Sequence, residues 1–538
     1  MNRVKNNAVL DDAHVGDIHG AFGSISQHDK EARTSFGSRM KTLLAVMGPG
    51  LIVMVGDNDA GGVATYAEAG QNYGTSLLWV LLLLIPVLIV CQEMVVRLGL
   101  VTGVGHAQLI FNRFGKFWGW FSVGDLFLVN FLTIVTEFIG ISLAMAHFGI
   151  SPVISVPVAG VLLVMFTISG SFRSWERFMY LFIITNFIAI PLAFMAHPTI
   201  TPIMTGFFLP HIQGGLNGDV MLLMIGIVGT TVAPWQLFFQ QSNVIDKRLT
   251  PRWMKYERTD TIIGAFVVVI GAAALIITTA FAFQGTSFAG SFTNSGAVAT
   301  GLAHTLGPVA GNIFAIVLLN ASIIGAAALT LSTSYAVGDV FMVKHSLHRS
   351  WKDAKVFYSM YVFIIAAAAG IVLIPNAPLG LITILVQALA GVLLPSATVF
   401  LVILCNDKHV LGPWVNKRWQ NVASIIIVGA LVMLSLILAT TTIFPNVDVP
   451  MLVEVLAAIL VGSLLAAGVW MWKQDRNHPK IKVVIDEEEK LEWRMAPLED
   501  LPPVKASMAR TVAMVILRAY LIIAVGMLVV KAFQLALA

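Results

Sequence analysis

The chain of 538 residues contains thirteen long apolar runs. They predict an all-α polytopic protein that spans the membrane. Each run has about twenty residues or more, which is the length that a helix needs to cross the hydrocarbon core of a bilayer. The composition agrees, since 57% of the residues are hydrophobic, 12% are charged and the mean hydropathy is +0.84. The approximate cores of the runs are 43–73, 77–99, 118–147, 151–169, 178–196, 217–242, 261–284, 309–340, 356–374, 379–405, 422–444, 450–472 and 511–536.

The basic residues predict the orientation of these segments. If the segments alternate in direction, 31 of the 33 lysines and arginines fall on one side of the membrane. Loops rich in Lys and Arg stay on the cytoplasmic side, so we expect a cytoplasmic N-terminus and a multi-pass protein of the cell membrane. The two exceptions, Arg518 and Lys531, lie inside the last run, which therefore either spans the bilayer or lies along its surface.

The first apolar run is interrupted at residues 56–62, which read Gly-Asp-Asn-Asp-Ala-Gly-Gly. An acid at the centre of a bilayer costs roughly 2.5–3.5 kcal/mol on insertion scales, so Asp57 and Asp59 indicate a polar cavity. Glycines weaken a helix and allow backbone carbonyls to turn toward a ligand. We therefore predict a broken helix whose unwound centre holds a cation.

The sixth run carries a second interruption, from Gly226 to Pro234. Pro234 has no N–H to donate, which frees the carbonyl oxygen of Thr230. Interruptions in segments 1 and 6 are typical of two inverted five-helix repeats, the LeuT-type arrangement, with the substrate site between the breaks. A pair of packing kinks is the alternative, and Asp59 in the first break argues against it.

The predicted organisation follows the segments, with additional helices after the two repeats. Cys91 and Cys405 lie in or beside apolar runs, so we expect free thiols and no disulfide framework. The predicted units are a mostly disordered cytoplasmic arm at 1–40, the first repeat at 41–200, the second repeat at 201–405, segments 11 and 12 at 406–472, a cytoplasmic loop at 473–510 and the last hydrophobic segment at 511–538.

The two interruptions resemble motifs of the NRAMP family of divalent-metal transporters. Residues 59–62 read Asp-Ala-Gly-Gly where the family's first segment has Asp-Pro-Gly-Asn, and residues 233–237 read Ala-Pro-Trp-Gln-Leu where its sixth segment has Met-Pro-His-Asn-Leu. Residues 92–103, residues 136–140 and Gln387 are similar to the family as well. The resemblance covers roughly residues 40–405 and implies a secondary transporter that works by alternating access.

The resemblance also implies a set of metal ligands. The family holds its metal with the Asp, the Asn and the Met of these motifs and with backbone carbonyls from both breaks. By position, Asp59 is retained, Gly62 replaces the Asn, Ala233 replaces the Met, and the carbonyls belong to Gly56 and Thr230. A thioether suits transition metals, whereas Mg²⁺ prefers few carboxylates and keeps several waters. The pattern is similar to a prokaryotic NRAMP-related branch of magnesium transporters, and we expect Gly62 and Ala233 to leave room for a partly hydrated ion, Mg²⁺ and also Mn²⁺.

Three further side chains are candidates for the same site. Gln236 replaces the Asn of the family's sixth-segment motif and can reach a hydrated ion. Gln387 keeps an amide of the family and can act as an outer-shell hydrogen-bond donor or as an oxygen ligand. For Asp57 two roles stay open: a contact with the ion, direct or through water, or a cap on the half-helix.

Proton coupling in the family uses histidines in segment 6 and acids in segment 3. The corresponding positions here read Trp235, Gln240 and Ile134, none of which titrates near neutral pH. Glu137 remains of that set, either as a titrating group or, as we favour, as a structural hydrogen-bonding group. We therefore predict uptake that is uncoupled from protons and driven by the membrane potential.

Other function classes stay as alternatives. A proton-coupled Mn²⁺/Fe²⁺ symporter with a degenerate site would be expected to carry sulfur at position 233 and histidine at 235 or 240. An amine or amino-acid transporter on the same scaffold is the next alternative, although Asp59 would repel a carboxylate, and a non-transporting receptor is the last.

The chain has no phosphate-binding Gly-Lys-Ser/Thr loop and no nucleophile motif, so we expect no enzyme activity, no cofactor and no use of ATP. The scattered basic residues give no nucleic-acid signal, and we expect a monomer whose partners are the metal ion and the lipid bilayer.

Overall fold

A computed structural model describes residues 13–168, 171–375, 378–444, 446–477, 486–504 and 508–537. Within these ranges the chain forms 22 α-helices and one antiparallel two-stranded sheet. The strands are β1 (Ile18–Gly20) and β2 (Gly23–Ile25), with Ile18 opposite Ile25. Short 3₁₀ helices lie at Pro251–Trp253, Gly412–Trp414 and Leu498–Asp500.

The helices follow the predicted apolar runs, with short helices in the loops between them. The first ten are α1 (Phe36–Val46), α2 (Pro49–Gly56), α3 (Ala60–Tyr73), α4 (Leu78–Thr102), α5 (His106–Phe114), α6 (Lys116–His147), α7 (Pro152–Thr167), α8 (Phe172–Asn186), α9 (Ala189–Met195) and α10 (Ile200–Phe208). The others are α11 (Gly218–Thr231), α12 (Pro234–Asp246), α13 (Met254–Phe283), α14 (Ser295–Thr305), α15 (Pro308–Phe341), α16 (Lys355–Val372), α17 (Leu379–Cys405), α18 (Lys408–Leu411), α19 (Arg418–Ile443), α20 (Val449–Asn477), α21 (Glu487–Glu492) and α22 (Met508–Leu537).

Ten helical segments of the described ranges are long and apolar enough to cross a membrane. Segment 1 adds the pair α1 and α2, which bend by 54° at their junction, and α7 is a shorter apolar helix. These account for the first twelve predicted segments. The thirteenth, α22, packs against α17 and α19, and the Tyr520 hydroxyl donates to the Val392 carbonyl near the middle of α17. This contact favours the spanning alternative for the last segment over the surface one.

The helices of the two predicted repeats exchange partners. Helix α13 lies along α2 and α3, the halves of segment 1, while α4 lies along α11 and α12, the halves of segment 6. A pseudo-twofold axis that relates segments 1 and 2 to segments 6 and 7 would give each contact of segment 7 with segment 1 a counterpart between segment 2 and segment 6, as observed. Both broken segments therefore lie at the centre of the bundle, as the LeuT-type prediction expects.

Several polar loops meet on one face of the bundle. The Arg248 guanidinium donates to the carbonyl of Ala13 at 2.8 Å, and the Arg252 guanidinium donates to that of Lys30 at 2.5 Å. The Arg113 guanidinium donates to the Pro502 carbonyl at 2.9 Å. We call this side, which carries the loops around Ala13, Arg113, Arg248 and Pro502, the basic face.

The predicted disorder of residues 1–40 is wrong for residues 13–40, and residues 1–12 lie outside the described ranges. The hairpin of β1 and β2 packs against α1 and buries Ile18, Ala21 and Ile25. The Ala21 N–H donates to Glu176 Oε2 at 2.5 Å, which joins the hairpin to α8. Apolar side chains and a buried acceptor thus fold a segment whose composition is polar.

Candidate metal-binding site between two broken helices

The first break lies between α2 and α3. In a continuous helix the N–H of Ala60 would donate to the carbonyl of Gly56. Here it donates to Glu137 Oε2 at 3.0 Å, while Asp59 caps α3 by accepting the Gly62 N–H at 2.6 Å. The two carboxylates stabilise the unwound segment. The Gly56 carbonyl has no helical donor, and a carbonyl predicted as a metal ligand must be free in this way.

The second break lies between α11 and α12. Helix α11 ends at Thr231, and Ala233 has an extended conformation (φ −84°, ψ 147°) before Pro234 begins α12. Because Pro234 has no N–H, the Thr230 carbonyl has no donor one turn further along the chain. The predicted interruption of segment 6 is therefore confirmed, and Ala233 is the N-cap of the second half-helix.

The Thr230 side chain joins the two breaks. Its hydroxyl donates to the carbonyl of Asp57 at 3.3 Å and lies 3.4 Å from Asp59 Oδ1. A second bridge connects the hydroxyls of Tyr66 and Thr231 at 2.8 Å. Asp59 and Thr230, which are 171 positions apart in the chain, thus meet in a buried polar centre. The hydroxyl contact was not part of the sequence prediction, which assigned only the carbonyl of Thr230.

The space expected at Gly62 is already occupied. A Cβ atom on Gly62 would lie 2.7 Å from the carbonyl oxygen of Asp57 and 2.9 Å from Thr230 Oγ1. The expectation that Gly62 leaves room for water is therefore wrong. The missing side chain instead allows the unwound backbone at Asp57 to approach the first turn of α3.

Asp57 is fully buried, with neither carboxylate oxygen hydrogen-bonded to any described residue. Its electrostatic neighbours include the Asp59 carboxyl and the Tyr66 hydroxyl. A buried carboxylate without partners is costly unless a proton or a cation compensates it. The backbone of Asp57 ends α2, but its carboxylate makes no capping hydrogen bond, so the arrangement favours a role of this side chain toward an ion.

The two predicted amides lie at the two breaks. Gln236 Nε2 approaches the Thr231 carbonyl at 3.5 Å, and its Oε1 accepts from Gln92 Nε2 at 3.0 Å. The Gln387 side chain lies over the first turn of α3, because a Cβ atom on Gly61 would fall 1.6 Å from its Nε2 atom. Both amides therefore lie beside the breaks.

Glu137 is part of the same centre. Besides accepting from Ala60, its carboxyl neighbours that of Asp59, and a Cβ atom on Gly325 would lie 2.6 Å from its Cδ atom. Across the described ranges, no group of three or more His, Cys, Asp and Glu side chains has an arrangement that could hold a metal. An ion between the breaks would therefore depend on carbonyl and amide oxygens as well as on Asp59 and Asp57.

Trp235 lies on the side of the centre that faces the basic face. The ring is 1% exposed, and a Cβ atom on Gly56 would lie 3.1 Å from its Cη2 atom. Gln240, the second position where the family has a histidine, donates to Thr261 Oγ1 at 3.0 Å. The aromatic ring thus lies between the first break and the basic-face half of segment 6.

A buried charged cluster lies further toward the basic face, and sequence reasoning missed it. Lys247 Nζ lies 2.5 Å from Glu176 Oε1 and donates to the Met47 carbonyl at 2.9 Å. Asp260 Oδ2 accepts the N–H groups of Gly48 and Gly50 at 3.0 and 2.8 Å. These contacts hold the junction of α1 and α2 against α8, α12 and α13. The sequence does show charged residues at the ends of apolar runs. It does not show that Glu176 and Lys247, which are 71 positions apart, form a pair.

Comparison with known proteins agrees with this geometry. Residues 50–441, which include both breaks, match the family described as natural resistance-associated macrophage protein-like, or Nramp. Two relatives called divalent metal cation transporter MntH, from Staphylococcus aureus strains Mu3 and Newman, are each 26% identical over 431 residues, covering 75% of this chain and 93% of the relative. The Eremococcus coleocola manganese transporter, solved with an aromatic bis-isothiourea compound, has a TM-score of 0.63 at 21% identity, covering 82% of this chain and 96% of that one. A mutant of the same transporter has a TM-score of 0.63 at 20% identity, with 82% and 97% covered.

Proposed function

The chain belongs to the Nramp family, and on that premise we propose that it is a secondary transporter that imports divalent metal ions, Mg²⁺ foremost and Mn²⁺ as well, without coupling to protons. The ion binds between the two breaks and is released by alternating access. The names of the relatives, divalent metal cation transporter and manganese transporter, support a divalent substrate.

The donor chemistry of the breaks is the observation that carries the choice of Mg²⁺. The available ligands are oxygen atoms: the carboxylates of Asp59 and Asp57 and the carbonyls of Gly56 and Thr230. The family's thioether position is Ala233. Hard oxygen ligands with few carboxylates suit Mg²⁺, while the missing sulfur removes a preference for softer transition metals. The amides of Gln236 and Gln387 extend the site to the waters that the ion retains.

The contacts of segments 3 and 6 support uncoupled uptake. Trp235 and Gln240 occupy the histidine positions, and Glu137 holds the Ala60 N–H of the first break. A divalent cation that enters a cell with a negative interior gains about 4.6 kcal/mol per 100 mV, because each elementary charge gains about 2.3 kcal/mol. This energy suffices to concentrate the ion without a co-transported proton. We place the protein in the plasma membrane of a prokaryote, as a monomer with a cytoplasmic N-terminus.

Uptake of Mg²⁺ and Mn²⁺ into proteoliposomes tests the proposal. We expect saturable uptake that depends on an inside-negative potential and is lost in Asp59→Ala. The control Asp500→Ala removes an exposed carboxylate on the basic face and should transport normally. Uptake that survives in Asp59→Ala, or a strong preference for Mn²⁺ or Cd²⁺ over Mg²⁺, would contradict the proposal.

The proton-coupled symporter stays as a second candidate, because the Asp59 and Glu137 carboxyls are neighbours in a buried centre. Two adjacent buried carboxylates favour sharing a proton that metal binding would displace. A pH-sensitive dye inside the proteoliposomes separates the two candidates. Acidification that requires both Mg²⁺ and Glu137 supports coupling, and uptake at constant internal pH supports the uncoupled mechanism.

A further inference from the structure

We propose that a cavity of ≈ 520 Å³ between α1 and the start of α13 binds the phosphate headgroup of an anionic lipid. Its lining residues include Arg33, Arg39, Arg252 and Lys255 and a single carboxylate, Glu31. The excess of positive charge matches an anionic ligand. None of these residues belongs to the metal site, so the inference is independent of the transported ion.

The four cations are not equivalent. Arg33 is held by Thr42 Oγ1 at 2.9 Å and by the Asp29 carboxylate, which gives it a structural role. Arg39 donates a hydrogen bond from Nε to the Arg33 carbonyl at 3.0 Å, and Arg252 donates one from an Nη atom to the Lys30 carbonyl at 2.5 Å. Both guanidinium groups therefore keep further N–H donors for a ligand.

Lys255 is the most available of these groups. It is exposed, and its ammonium makes no hydrogen bond or ion pair within the described part of the chain. An ammonium group binds phosphate as a point charge, and guanidinium groups add paired N–H donors. Lys255 and Arg39 thus offer the cavity two kinds of phosphate contact from opposite walls, α13 and α1.

The surroundings of the cavity favour a lipid over a soluble phosphate compound. Phe36 and Met40 line it from α1 and are 78% and 39% exposed. Trp253 and Tyr256 line it from the other wall. Exposed apolar side chains beside basic ones, with Trp and Tyr, are typical of helices at the membrane surface. Because α1 leads through its 54° bend into α2, the first half of the broken segment 1, we infer that the cavity lies at the depth of the lipid headgroups.

A lipid bound in the cavity would restrict the movement of α1. The wall made by α1 is joined through Gly48 to α2, which leads to the first break. Leu491 closes one side of the cavity, and the neighbouring Glu492 forms an ion pair with Lys30 at 2.7 Å. A headgroup that contacts both Arg39 and Lys255 would fix α1 against α13.

Native mass spectrometry of the full-length protein in detergent tests the inference, with phosphatidylglycerol as the probe and phosphatidylcholine as the neutral reference. We expect Arg39→Gln/Lys255→Gln to bind phosphatidylglycerol roughly tenfold more weakly than the unchanged protein, since two phosphate contacts are lost. The control Lys41→Gln/Lys352→Gln removes two exposed charges outside the cavity and should bind normally.

Equal weakening in the control variant would overturn the inference, because it would indicate general attraction to a basic surface. Binding of phosphatidylcholine as tight as that of phosphatidylglycerol would overturn it as well. In a further arm, inorganic phosphate is added in excess over the lipid. Complete displacement of the lipid at a low phosphate concentration would assign the cavity to a soluble phosphate compound and overturn the choice of lipid.

Discussion

Asp59 caps α3 and is also a ligand in the proposed metal site, and substitutions can separate the two roles. Its Oδ1 atom accepts the Gly62 N–H at 2.6 Å as the N-cap of α3. Its carboxyl also faces the second break, 3.4 Å from the Thr230 hydroxyl. Asn caps a helix as well as Asp does but carries no charge, whereas Ala does neither.

We therefore expect Asp59→Asn and Asp59→Ala to lose metal binding together but to differ in stability. Loss of the cap in Asp59→Ala should cost about 1 kcal/mol more than the Asn substitution. Isothermal titration with Mg²⁺ measures binding, and thermal unfolding in detergent measures stability. Equal stability of the two variants would contradict the capping role, and retained Mg²⁺ binding in Asp59→Asn would contradict the charge role.

Ala233 should control the choice between hard and soft ions. A methionine at this N-cap would return the family's thioether to the site, so we expect Ala233→Met to raise the affinity for Mn²⁺ and Cd²⁺ relative to Mg²⁺. Ala233→Leu is the matched control, because it adds a side chain of similar size without sulfur. Competition of Cd²⁺ against Mg²⁺ uptake compares the two variants. An identical shift in both would indicate a steric effect and contradict the assignment.

At the scale of elements, the close contact of α3 with α13 depends on a small residue. A Cβ atom on Gly70 would lie 2.2 Å from the Ile276 carbonyl oxygen and 2.1 Å from Thr279 Oγ1, both on α13. A backbone carbonyl cannot rotate away as a long side chain can. The Gln387 amide over Gly61 differs in this respect, because it is the end of a flexible side chain.

Gly70→Ala should therefore force α3 and α13 apart and destabilise the protein by about 1–3 kcal/mol, the usual cost of overpacking. The control Gly124→Ala lies on α6, where a Cβ atom meets nothing within 4 Å. We expect the control to be at least as stable as the unchanged protein, because alanine is the better helix former. Size-exclusion chromatography after heating distinguishes them, and a Gly70→Ala melting curve that matches the control would contradict the predicted contact.

At the scale of the whole molecule, the buried cluster of Glu176, Lys247 and Asp260 holds the two repeats together on the basic face. Both partners of the Glu176–Lys247 ion pair have fully buried side chains. Gly48, with a φ of +154°, lets α1 turn into α2 directly beside this pair, and a Cβ atom there would lie 1.9 Å from Glu176 Oε1. If the proposed transporter opens to this face by a movement of α2, this junction has to be released.

Lys247→Met should shift the molecule toward the state that is open at the basic face, because it leaves the Glu176 carboxylate without its counter-charge. Breaking a buried ion pair in this way destabilises the folded protein by about 3–5 kcal/mol. Lys247→Arg is the control, because it keeps a positive charge beside Glu176. Each variant also carries Gln240→Cys, and the rate at which a maleimide labels this cysteine measures the opening. Faster labelling in Lys247→Met than in Lys247→Arg is the expected result, and equal rates would contradict the role of the cluster.

Sequence by itself determined the features that depend on local chemistry. Apolar length predicts the spans, because a helix in lipid must satisfy its own backbone. Asp59 and Pro234 marked both breaks, since an acid and an imino acid disturb a membrane helix wherever the rest of the chain lies.

Only the tertiary structure decided the features that join distant positions. Glu137 completes the first break 77 positions away from Ala60, and the Asp57 carbonyl takes the space that Gly62 was expected to leave for water. The hairpin within the polar arm is held by burial of its apolar side chains and by the hydrogen bond from Ala21 to Glu176 across 155 positions. These outcomes depend on which atoms meet when the helices pack, and neither hydropathy nor spacing along the chain contains that information.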